Sequence, residues 1–113
     1  MKIIADSITL EELAKLAEAR FGNMVKAVVD VDRETMAVDA ELHADEEAAL
    51  LETGAKQESL WGINLYPEIP EEEWVEFDSM INLRPGQGNR TRGVDDPDIR
   101  RRIIDIVKAR IKR

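Results

Sequence analysis

Two short β-patterned runs separated by four polar residues constrain the fold of this chain more than any other feature. Residues 25–31 (VKAVVDV) and 36–42 (MAVDAEL) are rich in Val and Ala, and the polar segment 32–35 lies between them. A connection this short joins antiparallel neighbours, since parallel strands need a crossover of about a dozen residues or more. The sequence therefore predicts a β-hairpin, and with it an antiparallel pairing of strands.

Three helices are predicted from their end signals and from apolar residues at helical spacing. Thr9 and Glu12 have the spacing of a capping box, and Gly22 follows the last apolar residue of that segment. Asp96 followed by Pro97 is the clearest start signal in the chain, because proline is well tolerated at the first helical position. The predicted helices cover residues 9–20, residues 45–53 with Asp45 as the N-cap, and residues 97–111.

Two further runs, at residues 60–66 and 74–84, alternate apolar and polar side chains and are predicted as strands. The resulting order is α-β-β-α-β-β-α. It favours an α+β fold with a four-stranded, mainly antiparallel sheet and three helices. If all three helices cover the same face of this sheet, its other face is open and polar.

The composition sets broad limits on the kind of protein. The chain has 113 residues, so we predict a single domain that spans residues 1–113. The absence of cysteine excludes disulfides, thiolate metal sites and thiol nucleophiles. The sequence also contains neither a secretory signal nor a long apolar segment. We therefore expect a soluble, cytoplasmic protein without membrane contact.

Residues 84–93, called the arginine loop below, form a glycine-rich run with three arginines that leads into the last predicted helix. Glycines let main-chain N–H groups converge on a ligand, and arginine binds phosphate or carboxylate through two donors at once. The loop therefore predicts a site for an anionic small molecule that bears phosphate or carboxylate. It matches neither the P-loop nor the dinucleotide fingerprint, so we predict no cofactor. The predicted ligand-binding residues of the loop are Arg84, Gly86, Gln87, Gly88, Asn89, Arg90 and Arg92.

The open face of the predicted sheet supplies the other candidate residues. His43, the only histidine, follows Glu41 at the spacing that places both side chains on one strand face, where a carboxylate can orient a general base. We predict His43, Glu41 and Asp78 as catalytic candidates, and whether any bond is made or broken is left open. The neighbouring strands add Asn64 and Asn82 as ligand-binding residues. Mg²⁺ or Mn²⁺ would suit such a site better than Zn²⁺, but without a third ligand at a suitable spacing we predict no metal site.

The uneven charge of the chain supports an alternative function. The net charge is −8, yet residues 84–113 carry ten Lys or Arg against four Asp, whereas residues 1–83 carry six basic and twenty acidic side chains. A basic end on an acidic body is typical of proteins that bind polyanions. The alternative is a non-enzymatic interaction module, in which the basic C-terminal helix and the arginine loop bind an acidic protein or nucleic acid. The oligomeric state is left open.

Several segments also resemble a known family. They are LHADEE at residues 42–47, LWGINLYP at 60–67, FDSMINLRP at 77–85 and QGNRTRG at 87–93. Together they are similar to a family of short, uncharacterised prokaryotic proteins known only as a domain of unknown function. The resemblance spans nearly the whole chain. It implies a free-standing single domain and carries no activity, cofactor or partner with it.

Overall fold

The computed structural model describes residues 1–113 and shows an α+β fold with three helices. The α-helices are α1 (Leu10–Arg20), α2 (His43–Glu52) and α3 (Pro97–Arg110). Five strands form one antiparallel sheet: β1 (Lys2–Ile4), β3 (Val25–Asp30), β4 (Thr35–Val38), β5 (Leu60–Leu65) and β6 (Val75–Glu76). A second sheet is parallel and pairs β2 (Ile8–Thr9) with β7 (Ile111–Lys112). None of the helices combines the length and the apolar character that crossing a membrane requires.

The first and last helices begin where their capping residues predict. The Thr9 hydroxyl accepts a hydrogen bond from the Glu12 N–H at 3.0 Å. Asp96 accepts one from the Asp98 N–H at 2.8 Å, and Pro97 is the first residue of α3. Each cap satisfies a main-chain donor that has no partner inside its helix. The predictions of α1 and α3 are therefore confirmed to within a residue at either end.

The predicted hairpin is formed by β3 and β4, but β4 is shorter than expected. The Asp30 side chain closes the turn, since its Oδ1 accepts from the N–H groups of Asp32 and Arg33 at 3.0 and 3.1 Å. β4 then ends before Asp39, whose positive φ of 67° turns the chain out of the sheet. The prediction of a strand that continues to Leu42 is therefore wrong, and α2 begins two residues earlier than predicted.

The main sheet has the order β1-β4-β3-β5-β6, so the prediction of four strands is wrong by one. β1 pairs with the outer edge of β4, with Ile3 opposite Ala37. β3 lies at the centre, and its Lys26 is directly opposite Asn64 of β5. A strand of three residues is too short to show a readable alternation, which is why the sequence does not reveal β1.

The predicted strand at residues 74–84 is also wrong, because only Val75 and Glu76 pair with β5. Further along the chain, the side-chain amide of Asn82 makes the hydrogen bonds to β5 that the main chain of a neighbouring strand would otherwise make. Its Oδ1 accepts from the Gly62 N–H at 2.9 Å, and its Nδ2 donates to the Gly62 carbonyl at 3.0 Å. Residues 80–82 form a single 3₁₀ turn that starts after Ser79. This amide pairing lets the chain leave the sheet edge and enter the arginine loop.

Helices cover both faces of the sheet, so the expectation of one open polar face is wrong. On one face, the larger apolar core includes Leu13 of α1 and Ile103 of α3. On the opposite face, Leu50 of α2 belongs to a smaller core of four buried residues. Lys26 and Asn64 lie on this second face by the two-residue period of their strands. The polar positions of the sheet therefore share a face with α2.

Gly62 sits where a side chain has no room. A Cβ built at Gly62 lies 2.5 Å from both Cβ and Oγ of Ser79. We expect Gly62→Ala to destabilise the protein by about 1–3 kcal/mol, because the added methyl group pushes the Ser79 segment away from β5. Gly86→Ala is the matched control, since a Cβ there meets nothing within 4 Å. It should be neutral or stabilise by less than about 1 kcal/mol. Urea denaturation compares the two, and equal stabilities would contradict the described packing of residue 79 on β5.

Candidate functional site

A cavity of about 240 Å³ opens beside the first residues of α2, on the face of the sheet that this helix covers. Its polar side chains come from separate parts of the chain: Lys26, His43, Asn64, Asp78 and Arg92. Its apolar wall is formed by Leu42, Ala44, Met80 and Ile81. Among the residues predicted from the sequence, the structure brings together His43, Asn64, Asp78 and Arg92. The sequence interpretation did not include Lys26.

His43 is buried at the start of α2 and is held by a main-chain contact. Its Nε2 lies 2.7 Å from the carbonyl oxygen of Ile63. A carbonyl only accepts, so Nε2 carries a proton and Nδ1 holds the lone pair of the neutral ring. Burial lowers the pKa of His43 below its ordinary value, because desolvation outweighs the contribution of this hydrogen bond. The imidazole is therefore neutral at neutral pH, with Nδ1 free to accept a hydrogen bond.

Asn64 is held in the cavity wall by a hydrogen bond to Glu76 of β6. Its Nδ2 donates to Glu76 Oε1 at 2.8 Å, and the same carboxylate oxygen accepts from the Tyr66 hydroxyl at 3.0 Å. Burial and the nearby carboxylate of Glu76 raise the pKa of Tyr66. Because a carboxylate only accepts, these contacts determine which end of the Asn64 amide is nitrogen. The Asn64 Oδ1 is buried and has no hydrogen-bond partner.

Two cationic side chains, Lys26 and Arg92, line the cavity. Arg92 Nε donates to Asp78 Oδ1 at 2.7 Å, and both side chains are about half exposed. An ion pair with this much solvent contact contributes only about 0–1 kcal/mol, so Arg92 can exchange its partner at little cost. Lys26 forms no ion pair, and its Nζ lies 5.3 Å from the centre of the Phe21 ring. Both cations are therefore available to a negatively charged ligand.

α2 begins at the cavity without a side-chain cap. Its N-cap residue is Leu42, so the prediction of Asp45 as the cap is wrong, and Asp45 lies in the first turn instead. The main-chain N–H groups of His43 and Ala44 make no hydrogen bond within the chain. Free N–H groups at a helix N-terminus carry the positive end of the helix dipole and bind anions well. The caps of α1 and α3, by contrast, are side-chain oxygens.

Glu46 lies on the buried side of α2 and is fully buried. It is not among the site residues predicted from the sequence. Its Oε2 accepts from the Ala40 N–H at 3.0 Å, and its Oε1 has no partner. Burial raises the pKa of Glu46 to about 9, because a carboxylate in this position loses its hydration. Glu46 therefore adds no negative charge near the cavity at neutral pH. The spacing of His43, Glu46 and Leu50 on one helical face is the signal that would have revealed it.

Arg84, the first residue of the arginine loop, points into the fold and not into the cavity. Its guanidinium lies 4.6 Å from the centre of the Trp61 ring. It donates to the carbonyl oxygens of Ile81, Gln57 and Leu60. Burial lowers the pKa of Arg84. These contacts hold the loop against β5 and occupy the donors that the sequence interpretation assigned to a ligand.

The remaining predicted residues do not line the cavity either. Asn89 is buried and fills the centre of the loop, because its Nδ2 donates to the carbonyl oxygens of Asn82, Thr91 and Gly93. Arg90 is exposed, and its side chain makes no hydrogen bond within the chain. The predicted residues that lie outside the cavity wall are Glu41, Asn82, Arg84, Gly86, Gln87, Gly88, Asn89 and Arg90.

Arginines of α3, on which the alternative interaction function depends, contact main-chain carbonyls. Arg102 Nη2 donates to the Val31 carbonyl at 2.6 Å, and Arg110 Nε donates to the Glu34 carbonyl at 2.9 Å. These two guanidinium groups attach α3 to the hairpin of β3 and β4. No group of three or more His, Asp or Glu side chains is arranged to hold a metal ion.

The fold and the cavity define a small α+β protein with a partly apolar cavity that carries two cationic side chains and a neutral histidine. The chain belongs to DUF5674, a family of proteins of unknown function, whose family model matches residues 2–110. The resemblance to an uncharacterised family is thereby confirmed. No curated protein and no solved structure matches the chain. Membership of this family assigns no activity, so the function is argued from the cavity itself.

Proposed function

We propose that this protein binds a small molecule bearing phosphate or carboxylate in the cavity at the start of α2. The observation that carries the proposal is the convergence of three positive elements on one space: the uncapped helix N-terminus, Lys26 and Arg92. Each attracts an anion for a different physical reason. The N–H groups of the helix supply directed donors, arginine supplies a planar fork, and lysine supplies a point charge.

The charges around the cavity favour a guest anion over internal neutralisation. Asp78 is the only carboxylate in its wall, and it pairs with Arg92 at a half-exposed position. The first turn of α2 holds two acidic residues. Glu46 is protonated at neutral pH because burial raises its pKa to about 9, and Asp45 is exposed to solvent outside the cavity wall. The helix N-terminus and Lys26 therefore retain positive potential that an anion can neutralise.

The residues proposed to bind the anion differ from those predicted from the sequence. The arginine loop contributes Arg92, while Arg84 and Asn89 hold the loop in shape. His43 can take a proton from a bound molecule, because its Nδ1 is unprotonated in the neutral ring. Glu41, the carboxylate expected to orient it, lies outside the cavity wall, and the Ile63 carbonyl has that role.

Removal of Arg92 should weaken anion binding selectively. We expect Arg92→Ala to raise the dissociation constant for inorganic phosphate about tenfold, because a charge-assisted contact to the anion is lost. Arg90→Ala is the matched control: it removes the same charge from the same loop, but Arg90 does not line the cavity. Its dissociation constant should stay within about twofold of wild type.

Isothermal titration calorimetry at low ionic strength measures both variants, since salt screens exposed charges. An equal loss in the two variants would indicate a general charge effect and would contradict the proposed cavity. The absence of saturable phosphate binding by the wild-type protein would contradict the proposal as a whole.

A further inference from the structure

Two hydrogen-bond acceptors in the cavity wall have no donor within the chain. Asn64 is only 6% exposed, and its Oδ1 is buried without a partner. Nδ1 of His43 is the second, because the proton of the neutral ring resides on Nε2. A buried acceptor without a partner, here Asn64 Oδ1, costs about 1–3 kcal/mol of desolvation, which a ligand donor would recover.

The orientation of both acceptors is fixed by the fold. The Asn64 amide cannot reverse without setting its oxygen against the Glu76 carboxylate, 2.8 Å from the present nitrogen. The His43 ring cannot change tautomer without losing its 2.7 Å contact to the Ile63 carbonyl. Both residues of the cavity wall therefore offer acceptors whose identity is fixed, and not groups that can also donate at these atoms.

These acceptors lie next to the cationic groups. Lys26 is directly opposite Asn64 in the pairing of β3 with β5, and Arg92 lines the same cavity. An anion alone would satisfy the cations and leave both acceptors unpaired. An ammonium group would satisfy the acceptors but would be repelled by Lys26 and Arg92. A neutral donor attached to an anion, in practice a hydroxyl group, satisfies all of them.

We infer that the ligand is a hydroxylated organic anion, whose phosphate or carboxylate meets Lys26, Arg92 and the start of α2 while a hydroxyl group donates to Asn64 Oδ1 or His43 Nδ1. This inference rests on the proposed function. A cavity of about 240 Å³ is small for a binding site. The ligand class is therefore a short hydroxylated phosphate or carboxylate, and not a nucleotide.

The test compares two phosphate esters that differ only in hydroxyl groups. Calorimetric titration of the full chain with glycerol 3-phosphate and with propyl phosphate gives the two dissociation constants. We expect glycerol 3-phosphate to bind about tenfold more tightly, because propyl phosphate leaves the two acceptors unpaired. In Asn64→Leu, which removes one acceptor, the preference should fall to about threefold or less.

The outcomes separate this inference from the proposed function. Equal binding of the two esters to wild type, with a loss of both in Arg92→Ala, would overturn the inference and leave the proposed anion site intact. Failure of both esters to bind would overturn both. An unchanged preference in a folded Asn64→Leu variant would also overturn the role of Asn64. If that variant does not fold, the comparison on the wild-type protein still decides.

Discussion

Glu46→Gln is expected to be more stable than the wild-type protein at pH 8 by about 3–5 kcal/mol, and about equally stable near pH 4. The Glu46 carboxyl is buried, and its only hydrogen bond is from the Ala40 N–H. Glutamine keeps an oxygen acceptor for that N–H but has no charge. The Oε1 of Glu46 has no partner, so the amide group that replaces it loses no existing contact.

The direction of the effect follows from proton linkage. The pKa of Glu46 is raised from 4.5 to about 9 in the folded protein, so the folded state holds the proton more tightly than the unfolded chain does. The stability that this proton provides is complete below the unfolded pKa and is lost as pH rises through the folded value. Wild-type stability should therefore decline between about pH 4.5 and pH 9, and the decline should be much smaller in Glu46→Gln.

Urea denaturation of wild type and variant across this pH range measures the difference. Glu52→Gln is the control, because Glu52 lies in the same helix at an exposed position. The free energy of unfolding of Glu52→Gln should change with pH in the same way as that of the wild-type protein. Parallel pH profiles for wild type and Glu46→Gln would show that Glu46 is ionised in the folded protein. The positive potential assigned to the start of α2 would then be reduced.

A second large effect is expected at Asn82. The side chain is fully buried and makes three hydrogen bonds: it accepts from the Gly62 N–H, and it donates to the carbonyls of Gly62 and Arg92. Asn82→Ala should destabilise the protein by about 3 kcal/mol or more, because main-chain groups at the sheet edge lose their partners while buried. The change should also weaken phosphate binding, since Asn82 holds the main chain of Arg92 in place.

Chemical denaturation and phosphate titration of Asn82→Ala measure the two parts of this prediction. Asn23→Ala is the control, because Asn23 is exposed in a loop, and it should change stability by about 0.5 kcal/mol or less. An Asn82→Ala variant as stable as this control would contradict the account of how the arginine loop is attached to β5. A destabilised variant with normal phosphate affinity would contradict the link between Asn82 and the cavity.

Local signals in the sequence were sufficient for α1, α3 and the central hairpin. Thr9, Asp96 and Pro97 act within one turn of their helices, so the residues themselves contain the information. β1 depends on a pairing with β4 across more than thirty positions of sequence, which no local pattern encodes. A strand was wrongly predicted at residues 74–84 because apolar and polar side chains do alternate there, although only Val75 and Glu76 form a strand. The competing contact of Asn82 with Gly62 is a tertiary one.

The candidate site was predicted only in part, because some of its residues are recognisable from local sequence and others depend on tertiary contacts. His43, Asn64 and Asp78 were predicted as polar residues of one sheet face and Arg92 as part of the arginine loop, and the structure places all four around one cavity. Lys26 was not selected, since a single lysine inside an apolar strand resembles an exposed position until α2 is known to cover that face. Arg84 was predicted as a ligand-binding residue, but the main-chain carbonyls that occupy it come from distant segments.

The central claim is that an anion binds in the cavity beside His43, and the nitrogen NMR signals of this ring test it most directly. His43 is the only histidine in the chain, so its ring signals need no assignment by mutation. On titration with inorganic phosphate, we predict a saturable shift of these signals in wild type and in Arg90→Ala, with Nε2 still protonated, and a greatly weakened response in Arg92→Ala. Ring signals that stay unchanged at saturating phosphate would contradict the account.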